Sequence, residues 1–235
     1  MANGTIVYEG ISQLDGEPIV AIATWKSKNR KTGDMIQTWI LRQDIHPSEA
    51  LKTGEDSSVC GNCPRRPLIA KQKGLKPCYV KVFNAPRAVW KAYTEGKYGR
   101  MEDSVDSVPD IPVRLGSYGD PCAVPIEYWR RLIAIHNQSH TGYTHQWRDE
   151  RFQEYKTLLM SSCDTLMEAI KADKLGWRSF NVVKTLNPGA GKVIRLAQCP
   201  AAAESGNIKT CATCLACNGT KSESDRRASI KILAH

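Results

Sequence analysis

From Ile111 onward the sequence alternates strand-like and helix-like stretches, and that alternation limits the fold more than any other feature. "IPVRLG" (Ile111–Gly116) reads as a strand, and "IEYWRRLIAIHN" (Ile126–Asn137) as a helix with Ile126, Trp129 and Ile133 on one face. "TGYTHQW" and "TLLMSSC" read as strands, with "RFQEYK" helical between them. "DTLMEAIKADKLG" reads as a helix capped by Asp164 and stopped by Gly176. "WRSFNVV", "GKVIRLAQC" and "ASIKILAH" supply the last strands. Such spacing predicts an α/β fold on a parallel sheet, open or curled into a partial TIM barrel. A full barrel is excluded, because 235 residues do not accommodate eight βα units after what precedes Ile111.

Upstream, "PIVAIATW" and "IQTWILR" predict an N-terminal β-hairpin within residues 1–45. Between them lies the basic loop "KSKNRKTGD", with turn signals at Asn29 and Gly33. Residues 46–85 form a first cysteine-bearing loop, and a helix opens at Pro86 with Val89, Trp90 and Tyr93 at helical spacing. Residues 86–198 carry the βα units, and 199–235 a second cysteine loop and the last strand. No repeat or low-complexity segment breaks the chain, so it reads as one α/β domain over 1–235.

In parallel α/β folds, ligands sit at the carboxyl ends of the strands. The polar residues at those positions are Ser117, Tyr118, Gly119 and Asp120, then Tyr143, His145 and Trp147, then Ser161, Ser162, Cys163 and Asp164, and lastly Cys199. His145 is a candidate proton-handling group, since histidine titrates near neutrality. "NPGAGKV" (Asn187–Val193) lacks the full phosphate-loop pattern and reads as a turn.

Nine cysteines are an odd number for a disulfide framework. The N-terminus shows no basic region followed by an apolar stretch, and no run approaches the ~18 apolar residues of a membrane helix. The expectation is a chain working in a reducing cytoplasm without a membrane partner, where clustered cysteines point to metal or redox chemistry. Seven of them form two sets. The first is Cys60-x2-Cys63 with Cys78 following, and the second is Cys199-Pro200 with Cys211-x2-Cys214-x2-Cys217. Two-residue spacers let both sulfurs of a turn face one centre, as in structural zinc and iron–sulfur sites. Four thiolates from the second loop match a [4Fe-4S] cluster. The first set supplies three, which leaves one iron of a cluster open, or requires a fourth zinc ligand such as His46. Cys122 and Cys163 stand alone and read as core or loop residues. One or two [4Fe-4S] clusters and structural zinc both remain open at this point.

A formal net charge of +9 attracts polyanions, and "NRKTG" and "CPRRP", with Arg65 and Arg66, are candidate phosphate contacts. Two function classes follow. One is an iron–sulfur enzyme with an unknown substrate and a host electron donor. The other is a non-catalytic zinc- or iron–sulfur-stapled protein that binds nucleic acid or a host protein.

The order strand (Ile36–Arg42), three-cysteine loop, helix, then a strand ending in "GSYGDP" resembles the opening of radical S-adenosylmethionine (SAM) enzymes. That resemblance implies a catalytic [4Fe-4S] cluster on Cys60, Cys63 and Cys78. It also implies a SAM-binding turn at Gly116, Gly119, Asp120 and Pro121, with Asp120 in the acidic place. Cys199, Cys211, Cys214 and Cys217 would then hold an auxiliary cluster. The spacing here is CxxC-x14-C where that family has CxxxCxxC. Over most of its length the chain also resembles cysteine-rich proteins of tailed bacteriophages and prophages. "WKSKNRKTG", "CGNCPRRP", "VRLGSYGDP", "GYTHQW" and "LMSSCD" carry that likeness, which implies a phage gene acting in a bacterial cytoplasm.

Overall fold

The computed structural model describes residues 3–27, 29–103, 105–137, 139–185 and 194–233. It is a mixed α/β structure whose chain packs as two compact units. The turn expected at Asn187–Val193 lies outside the described residues.

The first unit comprises Met1–Lys26, Ile36–Asp110 and Leu115–Gln138. Its strands β1 (Gly4–Ile11), β2 (Pro18–Thr24) and β3 (Ile36–Arg42) form an antiparallel meander. The expected hairpin is therefore joined by a third strand. β2 is apolar at almost every position, and Ile19 to Ala23 are all 0% exposed, as a strand covered on both faces requires. The stretch 46–85 is not plain loop. It folds into α1 (Pro47–Thr53), α2 (Ser57–Cys60) and α3 (Pro67–Gln72), each too short to stand without tertiary contacts. α4 (Ala85–Thr94) starts with Pro86 in its first turn, where a missing N–H costs nothing. β4 (Gly99–Arg100) pairs parallel with β1, and β5 (Val113–Tyr118) contributes its residues from Leu115 onward to this unit. α5 (Ile126–Ala134) buries Ile126, Trp129 and Leu132, with the Trp129 indole donating to the Pro121 carbonyl at 2.9 Å.

The second unit comprises Ser27–Met35, Ile111–Arg114 and Ser139–His235. Its strands are β6 (His140–Thr144), β7 (Met160–Cys163), β8 (Ser179–Val183), β9 (Leu196–Gln198) and β10 (Ser229–Leu233). They lie in the order β6-β7-β8-β10-β9, parallel at every pairing. The order is linear and does not close into a barrel. α6 (Leu166–Lys174) packs on β7 and β8 through Ala169 and Ala172. Its N-cap is Thr165, whose hydroxyl accepts from the Glu168 N–H at 3.2 Å, rather than the expected Asp164. Gly176 does follow the helix in a left-handed conformation (φ 78°). The expected helical stretch is a 3-10 helix over Glu150–Thr157. No helix among the described residues is long and apolar enough to cross a membrane.

Candidate metal centres

The second cysteine set is built on one face of the parallel sheet. Alternate strand residues share a face, and Met160, Phe180, Val182, Ile230 and Ile232 point to a common cluster with Tyr143. Cys199, Ala201, Ala202 and Cys217 cover it, with Cys211 and Ala216 at its margin. Cys199 is placed by β9, its N–H donating to the Lys231 carbonyl of β10 at 3.0 Å. Helix α7 (Cys211–Cys214) puts two thiols one turn apart on a single face. Thr210 and Thr213 cap it reciprocally. Leu215 then takes a left-handed conformation (φ 53°), which costs a non-glycine residue about 1–2 kcal/mol. The reversal brings Cys217 back to the sheet, where its carbonyl accepts from the Gly142 N–H at 3.0 Å.

Two further parts hold this loop. The basic segment Ser27–Met35 belongs to this unit. The Lys31 and Thr32 carbonyls accept from the Cys211 and Ala212 N–H groups at 3.0 and 2.9 Å. Gly33 is required there, since a Cβ would stand 2.7 Å from the Thr210 hydroxyl at a positive φ of 69°. Below the loop lies Arg178, 6% exposed. Its guanidinium donates to the carbonyls of Ala216 and Gly219, each at 3.0 Å, and of Ala228 at 2.8 Å. All three acceptors are neutral backbone groups, and Arg178 Nε has no partner. Burial, then the nearby Arg227, pulls its pKa down from the ordinary arginine value. A buried cation thus sits near Cys217, and among the described residues it makes no ion pair with a carboxylate.

Two of the thiols, Cys217 and Cys199, have their pKa values raised. Burial pushes Cys217 up to about 12, against the Tyr143 hydroxyl, which lowers it, while Cys199, Cys211 and Cys214 raise it further. Cys199 is raised by burial, with Lys31 acting in the opposite direction. The four cysteines therefore feel one another electrostatically.

In the first unit, Cys60 ends α2 and Cys63 follows in a turn, its N–H donating to the Cys60 carbonyl at 3.2 Å. Cys78 returns to them because its N–H donates to the Arg65 carbonyl at 2.8 Å. The "GSYGDP" turn adjoins this loop: the Asp120 N–H donates to the Val59 carbonyl at 2.6 Å. Burial drives Cys60 well above its ordinary pKa, helped by Cys63, Asp56, Cys78 and Asp120. Beside it are two orphaned buried atoms, Asp56 Oδ2 and the Tyr118 hydroxyl.

The parts of the turn have structural duties. Gly116 and Gly119 are left-handed (φ 70° and 84°), and a Cβ on Gly119 would come within 2.7 Å of Ile40 Cβ. Asp120 Oδ1 accepts from the Cys122 N–H at 3.1 Å, and Pro121 opens the short turn that follows. His46 is used as the N-cap of α1, its Nδ1 accepting from the Ser48 N–H at 3.2 Å, and packs edge-on against Trp90. Arg66 is engaged internally, with Asp56 at 2.8 Å and with the Gly54 and Gly61 carbonyls. His145 and Asp164 are brought to 4.0 Å at the carboxyl ends of β6 and β7 in the second unit. Cys122 and Cys163 are fully buried, and burial pushes Cys163 up to about 12.

Among the described residues no three Cys, His, Asp or Glu side chains form a group that could hold a metal ion. Each cysteine set is gathered at electrostatic range and not at ligand range. The donor chemistry nevertheless fits a cationic centre. A thiol whose pKa burial raises, as at Cys60, Cys199 and Cys217, ionises more readily when a metal cation takes the proton's place. The unpartnered Asp56 Oδ2 and Tyr118 hydroxyl at the first set, and the unpartnered Nε of Arg178 at the second, are buried polar atoms that a bound polar or anionic group would satisfy. Sequence reasoning did not single out Arg178, Asp56 or Lys31, since each acts across a separation that only folding closes. Comparison with protein-family models, curated proteins and solved structures gives no match to the chain.

Proposed function

We propose that this chain is an iron–sulfur protein, with Cys199, Cys211, Cys214 and Cys217 holding a closed [4Fe-4S] cluster. The observation that carries this reading is the gathering of Cys199, Cys211 and Cys217 on one sheet face, with Cys214 in electrostatic reach, above the buried Arg178, whose hydrogen-bond partners are all neutral carbonyls. A cluster with four thiolates is anionic overall, and a desolvated guanidinium beside it offsets that charge. Thiols gathered but not yet gripping suit a loop that tightens as metal binds, because metal binding and folding are one equilibrium in such sites.

The first set, with its three cysteines, is proposed to hold a second cluster with one open iron, in a radical SAM-like enzyme of a phage acting in the bacterial cytoplasm. Support comes from the "GSYGDP" turn, whose Asp120 N–H is bonded to the residue before Cys60. Such a cluster, when bound with SAM, supplies one-electron chemistry. The chain's own part is to hold Cys60, Cys63 and Cys78 together, to keep Asp56 and Tyr118 beside them, and to position Asp120. The partial barrel of that family is not required: an open sheet presents strand ends to a ligand as well.

Iron, sulfide and zinc content of anaerobically purified protein test this directly. About four irons with four sulfides per chain are expected for one centre and about eight for two, with broad visible absorption. Joint Cys211→Ala and Cys214→Ala replacement is expected to remove the second-unit share alone. A colourless protein with stoichiometric zinc would leave the zinc-stapled alternative. Release of 5′-deoxyadenosine from SAM on reduction tests the enzymatic part, and its absence from fully loaded protein would sink that part.

A further inference from the structure

Of the chain's 17 Phe, Trp and Tyr residues, only Tyr79 and Phe83 are exposed, at 80% and 61%. They sit four residues apart, in the irregular stretch between α3 and α4 of the first unit, at most about 14 Å of extended chain. Leu75, 38% exposed, precedes them. Large aromatic side chains left in water on a protein that buries or half-buries all its others mark a surface meant to be covered.

The charge of the same stretch says what covers it. Residues 57–94 contain eight Lys and Arg and no Asp or Glu, a formal +8 against the chain's +9. Lys73, Lys76, Lys81 and Arg87 are exposed, and among the described residues none of the four is in an ion pair. An apolar partner would gain nothing from such cations. Anionic lipid would match the charge, but offers flat acyl burial in place of separate stacking faces. A duplex is read by a helix or β-ribbon inserted in a groove, and this irregular segment presents neither. Phosphates alternating with planar bases match cations alternating with aromatic faces.

We propose that the Lys73–Arg87 segment is a binding strip for single-stranded nucleic acid, with Tyr79 and Phe83 as base-stacking platforms and Lys73, Lys76, Lys81 and Arg87 as phosphate contacts. This goes beyond the metal reading and needs no metal to be tested. Sequence-tolerant binding is expected, since every base offers a stacking face.

The test is fluorescence anisotropy of a labelled oligothymidylate of about 20 nucleotides, longer than the ~4–16 that one small binding fold covers. Binding is measured between about 50 and 200 mM salt, with metal content recorded for every sample. The joint variant Tyr79→Ala, Phe83→Ala is expected to weaken binding at least tenfold, at about five- to hundredfold per stacked base, with the salt slope unchanged. Lys76→Gln with Lys81→Gln is expected to flatten the slope by about 1.4, at ~0.7 per phosphate contact on a single strand. All four side chains are exposed, so the variants are expected to fold, which circular dichroism checks. Parental affinity in the aromatic variant, equal affinity for a blunt duplex, or preference for anionic vesicles over oligonucleotide would each overturn the proposal. A colourless protein that binds the oligonucleotide refutes the iron reading alone, and an iron-loaded one that does not bind refutes this proposal alone.

Discussion

Replacing Arg178 by Met removes the hub under the second cysteine loop while keeping the length of the aliphatic stem. Three backbone carbonyls, of Ala216, Gly219 and Ala228, then lose a charged donor. Hydrogen bonds to charged groups contribute about 1.5–3 kcal/mol each when one partner is removed. Three of them give a gross loss of about 6 kcal/mol. Against this, Arg178 is desolvated with only neutral acceptors, and its removal relieves a burial cost of several kcal/mol. A net loss of about 2–4 kcal/mol follows, or roughly 5–15 °C in melting temperature for a chain of this size. The metal-free protein is the sample for that measurement, by urea denaturation. Hydrogen exchange read by mass spectrometry locates the effect, with faster exchange expected at residues 211–228 and little change in the first unit. Iron-loaded Arg178→Met should also lose its second-unit iron to a chelator faster than the parent. Stability within about 0.5 kcal/mol of the parent, or loosening spread evenly over both units, would refute the assignment of Arg178 as the clamp.

Gly119→Ala forces a Cβ to within 2.7 Å of Ile40 at a left-handed φ, and a loss of about 2–4 kcal/mol is expected from chemical denaturation. Cys122 and Cys163, both 0% exposed, should resist a thiol-alkylating reagent in the native protein at neutral pH and react only on unfolding, as peptide mapping will show. Cys163 and Cys217, each pushed up to about 12 from 9.0, keep their protons in the folded state when the unfolded chain has released them. Their contribution to stability is therefore complete below about pH 9 and lost as pH rises towards 12. The urea midpoint of metal-free protein should fall between pH 8 and about pH 10.5, and a flat profile would contradict the thiol assignments.

How much of this was legible in the chain depends on the range of the interaction. β2, β3 and α4 to α6 fall where periodicity places them, because a strand or helix that buries one face must repeat its apolar residues at the period of the backbone. β1 was not legible, since "GTIVYEG" carries a short apolar core that becomes a strand by pairing with β2. The helices α1 to α3 within 46–85 were missed for a related reason: four to seven residues carry no usable period and are held by tertiary contacts.

The two cysteine sets could be sorted from spacing alone, and CxxC turns behave locally as expected, with Cys211 and Cys214 on one helical face. Sequence by itself thus determined a mixed α/β fold, two thiol sets and the surplus of positive charge. Only the tertiary structure decided that the basic loop Ser27–Met35 grips α7, that Arg178 lies beneath Cys217, that Arg66 is spent on Asp56, and that Tyr79 and Phe83 stay in water. Local patterning follows from the geometry of the backbone, which each residue carries with it. Burial and long-range hydrogen bonds depend on which distant segments meet, and no spacing in the chain records that.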